Sequence, residues 1–152
     1  MQIDRHDLSG TEIEAFLEDH LRQMREVTPE GSKHALDLDS LRGDDVSFWV
    51  VRDDEGRIVG SGALKALGNA QAEVKSMRSE PTLQRSGIAT MLLGHMFEDA
   101  RRRGIARVDL ETGNGPFCEP ARKLYEKHGS TRCAPFGEYR EDPNSAYYTL
   151  EL

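Results

Sequence analysis

The six residues from Gln84 to Ala89, QRSGIA, combine the residue types that could bind a phosphate group. Gly87 stands where a loop leads into a helix, and its small neighbours let a ligand approach the backbone closely. From Arg85 to Phe97 there is no acidic side chain, although helix first turns normally attract Asp or Glu. Such a start leaves N–H groups available to a pyrophosphate, so we expect an anion site here; the alternative is an ordinary helix start that lacks acids.

Other motifs for phosphate or metal binding fit the sequence less well. The run GSGALKALG that begins at Gly60 lacks the GK[ST] ending of a P-loop, and no GxGxxG motif joins a strand to a helix. The five histidines show no spacing typical of metal ligands. Cys118 and Cys133 are too few and too far apart for a thiolate site, so we expect reduced thiols and no bound metal.

The composition of the chain limits which partners could use such a site. Among 152 residues, 27 are acidic and 20 are basic, and the net charge of -7 argues against nucleic-acid binding. With 37% hydrophobic residues, the chain is typical of a globular protein, and its length fits one domain spanning residues 1–152. Because the sequence contains neither a secretory signal nor a stretch long enough to cross a bilayer, we expect a cytoplasmic protein without a membrane partner.

The hydrophobic pattern predicts an α/β fold. Thr11 and Glu14 have capping-box spacing at the start of the first helix, which extends to about Val27. Its apolar face comprises Ile13, Phe16, Leu17, Leu21 and Met24. The remaining predicted elements are strands at 47–51, 58–67 and 72–78, a helix at 87–103, a strand at 106–112, a helix at 119–128, and strands at 131–135 and 146–152. The pattern leaves open whether a short strand precedes the first helix, at the amino terminus.

Two segments resemble cofactor-binding elements of the GNAT acetyltransferase superfamily. Residues 73–89, EVKSMRSEPTLQRSGIA, resemble its acetyl-CoA-binding core, whose pattern Q/R-x-x-G-x-G/A is matched by Gln84, Gly87 and Ala89. Residues 121–129, ARKLYEKHG, resemble its second element, A-x-x-L-Y-E-x-x-G. The strings GALKAL, LETG and DPNS resemble a bacterial subgroup of the family. The resemblance implies a mixed, strongly twisted central sheet that is split in the middle and flanked by helices, with acetyl-CoA as cosubstrate in the split.

The same resemblance implies which residues bind acetyl-CoA. They are Met77, Arg78, Ser79, Gln84, Arg85, Ser86, Gly87, Ile88, Ala89, Cys118, Ala121 and Tyr125. Backbone N–H groups near Met77 to Ser79 would also stabilise negative charge on the acetyl oxygen. Cys118 departs from the family pattern, because an asparagine often contacts the cofactor at this position in relatives.

A transfer to an amine would need a general base. An alkylamine with a pKa of about 10.4 is protonated at pH 7, and exposing its lone pair costs about 3.4 pH units, or roughly 4.6 kcal/mol. By resemblance, Glu73 matches the strand carboxylate that removes this proton in Gcn5-like relatives. The alternative is a structural carboxylate paired with Lys75, and Glu111 and His34 are rival bases.

A second catalytic group would assist the departing thiolate. Tyr125 is the tyrosine of the L-Y-E element, and the resemblance implies that it donates a proton to the sulfur. A buried tyrosine whose hydroxyl is bonded elsewhere is the alternative interpretation.

The acceptor is the part of the reaction that the sequence defines least. His34, Glu111, Tyr139 and Asn144 are candidate acceptor contacts, although Asp-Pro-Asn-Ser is also ordinary turn chemistry. The first hypothesis is an N-acetyltransferase that acts on a primary amine of a small molecule or peptide, as a monomer or a homodimer. The second is a non-catalytic module that binds acyl-CoA or another protein.

Overall fold

The strands of the chain form one mixed sheet that is flanked by helices on both faces. The computed structural model describes residues 1–27, 38–83 and 86–152. The elements are β1 (Gln2–Arg5), α1 (Thr11–Val27), α2 (Leu38–Leu41), β2 (Val46–Arg52), β3 (Ile58–Gly68), β4 (Gln71–Ser79), α3 (Ile88–Arg102), β5 (Arg107–Gly113), α4 (Glu119–Lys127), β6 (Thr131–Arg132) and β7 (Ser145–Glu151). No helix in these ranges combines the length and the apolarity that crossing a bilayer requires.

The order of the strands produces a split in the middle of the sheet. The order is β1-β2-β3-β4-β5-β7-β6, and β4 and β5 are the parallel pair among antiparallel neighbours. The parallel ladder joins Gln71–Val74 to Arg107–Leu110, and beyond it both strands continue without pairing to each other. The predicted α/β fold with a split, mixed sheet is therefore confirmed.

A β-bulge in β4 lies directly beyond the last paired residues. Ser61 is opposite Arg78 and Ala63 is opposite Lys75, so β4 contains one more residue than β3 in this interval. Ser76 has a φ of 54°, and its carbonyl accepts a hydrogen bond of 2.9 Å from the Ser61 hydroxyl. A bulge bends its strand, and this one lies where the ladder between β4 and β5 has ended.

Each face of the sheet carries its own hydrophobic core. The helices α3 and α4 cover one face with Leu92, Met96, Ala121 and Leu124, and α1 and α2 cover the other with Ile13, Leu17 and Leu41. Of the predicted apolar face of α1, Ile13 and Leu17 are buried and Phe16 is partly buried, whereas the side chains of Leu21 and Met24 lie outside the described set.

Two glycines of β3 allow α3 to pack closely on the sheet. A Cβ atom at Gly60 would lie 2.5 Å from Ile88 Cγ2, and one at Gly62 would lie 2.7 Å from the sulfurs of Met77 and Met96. The glycine run that does not fit a P-loop therefore has a packing function.

The main differences from the predicted elements are at the short ones. The strand expected at 131–135 ends at Arg132. Cys133 donates the last hydrogen bond to β7, to the backbone carbonyl of Tyr147. The pairing does not continue to residue 135, because Pro135 has no N–H to donate. A short amino-terminal strand, β1, is present. The helix α2 was not predicted, because a segment of four residues is too short to show the 3.6-residue hydrophobic period of a helix.

Candidate active site

The amino terminus of α3 has the features of an anion site. Gly87 precedes the helix with a left-handed φ of 88°, which glycine adopts without strain. Among the residues that the structure describes, no side-chain hydrogen bond caps this end, and no acid lies in its first turn. The first N–H groups of a helix have no intrahelical acceptor, so those of α3 can bind a negatively charged group. The Ile88 side chain is buried in the core, so at this position only the backbone could contact a ligand.

The loop that precedes α3 is described in part. Gln84 and Arg85, both predicted to bind the cofactor, lie outside the described residues. Ser86 is exposed, and both its amide and its hydroxyl donate to the carbonyl of Leu83. The Ser86 side chain is thus engaged in a turn, and Ala89 is partly buried on the first turn of α3.

The strand edge at Met77 to Ser79 lies where β4 has separated from β5. The Met77 side chain packs toward α3, whereas Arg78 points to α1 on the opposite face. Arg78 is buried, pairs with Asp19 at 3.4 Å and lies over the ring of Phe16 at 5.5 Å. Burial lowers the pKa of the Arg78 guanidinium, and the charge of Asp19 opposes this. The side chains of Met77 and Arg78 are therefore engaged in packing on opposite faces, whereas Ser79 is partly exposed.

The helix α4 places Cys118, Ala121 and Tyr125 beside the end of β5. Cys118 lies at the start of α4, and its sulfur is 2.7 Å from the position that a Cβ atom on Gly113 would take. Tyr125 is buried, and its surroundings raise its pKa well above the ordinary value, first through burial and then through Cys118 and Glu111. The Tyr125 hydroxyl therefore keeps its proton at neutral pH.

Glu73 lies on the face of the sheet opposite α3. Its neighbours Ala72 and Val74 belong to the core beneath α3, and side chains alternate along a strand. Glu73 is 5% exposed, and its Oε2 accepts a hydrogen bond of 2.6 Å from the Tyr139 hydroxyl. Lys75 Nζ is 4.0 Å from the same oxygen. The pairing with Lys75 exists, but the contact with Tyr139 is much shorter.

A row of polar side chains crosses the sheet through Glu73. Lys65, Glu73, Asp109 and Thr149 are successive cross-strand partners on β3, β4, β5 and β7. Asp109 is 1% exposed and pairs with Arg107 at 3.3 Å. Sequence reasoning missed Asp109, although an acid between two apolar residues of a buried strand was a readable signal.

Glu111 is the first residue of β5 beyond the ladder with β4. It is partly exposed, and its charge contributes to raising the pKa values of Tyr125, Tyr139 and Tyr147, although burial is the largest cause for each. Glu111 therefore lies within electrostatic reach of both the α4 side and the Glu73 side of the split. His34 lies outside the described residues.

The remaining predicted acceptor residues belong to the segment before β7. Tyr139 contacts Phe136 and Tyr147, with ring centroids 5.1 and 5.7 Å apart, and we call these three residues the aromatic corner. Asn144 is exposed and lies in a turn, where its backbone N–H donates a hydrogen bond of 2.8 Å to Asp142 Oδ1. Its backbone carbonyl accepts a hydrogen bond from the backbone N–H of Asn114, so Asn144 connects this turn to the end of β5.

The split sheet and the helix start with Gly87 and no acid in its first turn fit the class of α/β acyltransferases. The chain belongs to the acetyltransferase (GNAT) family, whose model matches residues 13–130, and it is an N-acetyltransferase. It is 42% identical to the uncharacterised N-acetyltransferase YsnE of Bacillus subtilis strain 168 over the full length of both chains. It is 39% identical to the uncharacterised N-acetyltransferase YedL of Escherichia coli strain K12, over 99% of this chain and 94% of that one.

Solved structures show the same fold at lower identity. A Klebsiella pneumoniae protein assigned as an acyl-CoA N-acyltransferase matches 99% of this chain and 97% of its own, with a TM-score of 0.83 and 22% identity. An aminoglycoside 6'-N-acetyltransferase complexed with coenzyme A matches 99% of this chain and 97% of its own, with a TM-score of 0.74 and 15% identity. The family uses an acyl-CoA as acyl donor.

Proposed function

We propose that the protein transfers an acetyl group from acetyl-CoA to a primary amine of a small molecule or peptide, by direct attack in a ternary complex. The observation that carries this proposal is the buried carboxylate of Glu73, which lies one residue before the end of the ladder between β4 and β5 and accepts a hydrogen bond from Tyr139. Tyr125, the candidate donor, is buried in α4, which begins beside the end of β5.

The donor site would be formed mainly by backbone groups. The first turn of α3, with Gly87 before it and no acid in it, is suited to the pyrophosphate, and the stretch of β4 at 77–79, beyond its ladder with β5, is suited to the pantetheine arm. Cys118 and Ala121 would line the other side. When bound, acetyl-CoA supplies the thioester carbonyl that the amine attacks and the thiolate that leaves.

Glu73 would remove the proton of the acceptor ammonium, directly or through a water molecule. Its burial on the acceptor side of the sheet fits this role, because a desolvated carboxylate attracts a cation strongly. Glu111 adds a second negative charge at the mouth of the split, which favours a cationic acceptor over a neutral or anionic one.

Tyr125 would donate a hydrogen bond to the departing sulfur. Burial raises its pKa far above the value of about 8.5 for a thiol, so complete proton transfer to the thiolate is unfavourable. A hydrogen bond still stabilises the developing charge on sulfur, and the dry surroundings of Tyr125 strengthen it.

The acceptor class can be narrowed by the relatives. A relative from Azospirillum brasilense, 35% identical over 90% of this chain and 88% of its own, is named an IAA acetyltransferase. This name supports a small-molecule acceptor, and IAA therefore belongs among the compounds to be tested beside cationic amines.

The test is release of free thiol from acetyl-CoA with spermidine, tyramine, a lysine peptide and IAA as acceptors. We expect turnover with at least one cationic amine, and a loss of about 10²-fold or more in kcat/KM at pH 7 for Glu73→Gln. Calorimetry with coenzyme A provides the binding control. Binding of coenzyme A without turnover on any acceptor would favour the non-catalytic module, and full activity of Glu73→Gln would remove Glu73 from the mechanism.

A further inference from the structure

The contact between Tyr139 and Glu73 connects two distant parts of the chain. The Tyr139 hydroxyl donates to Glu73 Oε2 at 2.6 Å across 66 positions of sequence. Tyr139 belongs to the segment between β6 and β7, whose residues 133–144 form no further strand or helix. Within the aromatic corner, its ring meets Phe136 edge-on, with 64° between the ring planes, and lies tilted against Tyr147. The ring is therefore held from two sides.

We propose that Tyr139 is a positioning residue for Glu73: its hydroxyl holds the Glu73 carboxylate in one orientation on the face of the sheet opposite α3, from which the carboxylate accepts a proton. The inference rests on the proposed function, in which Glu73 is the general base. Under this inference, the segment 133–144 takes part in the chemistry, in addition to supplying the candidate acceptor contacts Tyr139 and Asn144.

The two oxygens of the Glu73 carboxylate have different surroundings. In the described part of the chain, the contacts of Glu73 with Tyr139 and Lys75 are both made by Oε2. Oε1 is therefore the oxygen that remains to take a proton from an acceptor or a water molecule. A donor on Oε2 prevents rotation of the carboxylate group and keeps Oε1 directed to one place.

The charges around Glu73 explain why a donor at this place matters. Asp109 is its cross-strand neighbour on β5, and Glu111 lies further along that strand. Lys75 on β4 and Lys65 on β3 are the nearby cations, and Arg107 pairs with Asp109. The Tyr139 hydroxyl makes the shortest contact with Glu73, so it is the group best placed to orient the carboxylate among these charges.

Tyr139 is itself suited to remain a donor. Burial raises its pKa strongly, and the charge of Glu73 and the hydrogen bond to it add to this effect. The phenol therefore stays protonated throughout the pH range in which an acetyl transfer would be measured.

The chain offers a matched control for removing this hydroxyl. Tyr148 also donates to a carboxylate, Glu126 Oε2 at 2.8 Å, but on the face of the sheet that packs against α4. Tyr139→Phe and Tyr148→Phe each remove one phenol-to-carboxylate hydrogen bond and keep the ring. A general loss of stability would affect both variants, whereas an effect on the base would follow Tyr139 alone.

The kinetic experiment is the pH profile of kcat/KM for the best acceptor among spermidine, tyramine and the lysine peptide. For Tyr139→Phe we expect the whole profile to fall by about tenfold, because the carboxylate has lost the hydrogen bond that orients it. The KM for acetyl-CoA should be unchanged, and Tyr148→Phe should keep the wild-type profile. If Glu73→Gln is impaired but Tyr139→Phe keeps the wild-type profile, the inference fails while the proposed function stands.

A measurement without substrates tests the contact itself. In proton NMR spectra of the ligand-free protein, we expect a downfield hydroxyl resonance that disappears in Tyr139→Phe, moves strongly in Glu73→Gln and is retained in Tyr148→Phe. A resonance that Glu73→Gln leaves in place would contradict the inference. If Glu73→Gln is fully active, the proposed base is wrong and this inference falls with it.

Discussion

Individual side chains of the candidate site combine burial with polarity. Tyr125 and Glu73 are both buried, yet each carries a group that can exchange or share a proton. Such positions are costly to maintain unless the polar atoms have partners or a function. Glu73 has the Tyr139 hydroxyl as its partner, and Tyr125 lies near the charge of Glu111.

Replacing Tyr125 with phenylalanine tests the donor role. We expect kcat for thiol release to fall by about 10²-fold, since the hydrogen bond to the leaving sulfur is lost, while the KM for acetyl-CoA changes little. Because the ring remains, thermal unfolding should stay close to that of the wild type. Tyr148→Phe serves as the control, and an unchanged kcat in Tyr125→Phe would rule out the role.

At the scale of single elements, the local pattern of the sequence was sufficient for most boundaries. The helix α1 matches its predicted range, and α3 spans Ile88–Arg102 where a helix at 87–103 was predicted. The bulge at Ser76 was not predictable, because the hydrogen bond that supports it comes from Ser61 on another strand. The same reason applies to the site: Glu73 was named from a resemblance, but its contact with Tyr139 depends on tertiary packing.

The start of α3 allows a prediction with a control in the same helix. Gly87→Ala places a side chain at a φ of 88° and should destabilise the protein by about 1–2 kcal/mol and weaken binding of coenzyme A. Gly94 lies in the interior of α3, and a Cβ atom there would meet nothing within 4 Å. Gly94→Ala should therefore stabilise the protein by about 0.5–1 kcal/mol and leave binding unchanged.

Urea unfolding and calorimetry with coenzyme A measure both variants of α3. If Gly87→Ala binds coenzyme A as the wild type does, the amino terminus of the helix is not the pyrophosphate site. If both variants lose affinity equally, the effect belongs to the helix as a whole.

At the scale of the whole molecule, the tyrosines are all held in their protonated form. The chain has four tyrosines, and burial is the first cause that raises the pKa of each one: Tyr125, Tyr139, Tyr147 and Tyr148. The folded protein thus binds these protons more tightly than the unfolded chain, in which the pKa is about 10. Their contribution to stability is complete below about pH 10 and is lost as the pH rises further.

An alkaline titration followed by tyrosinate absorbance and circular dichroism checks this dependence. We expect little tyrosinate to form near pH 10 while the protein is folded, and a rise that coincides with the loss of ellipticity at higher pH. Full ionisation near pH 10 with an intact circular dichroism spectrum would show that the tyrosines are in contact with solvent.

The extra residue in β4 reverses the phase of that strand. Before Ser76, odd-numbered positions such as Glu73 face away from α3; after it, the odd-numbered Met77 faces α3 and the even-numbered Arg78 faces α1. A binary pattern read through the strand with one fixed period would assign Met77 and Arg78 to the wrong layers. The one extra residue thus lets a single strand direct the Glu73 carboxylate and the Arg78 guanidinium to the same face of the sheet, while the Met77 side chain between them is directed to the other face.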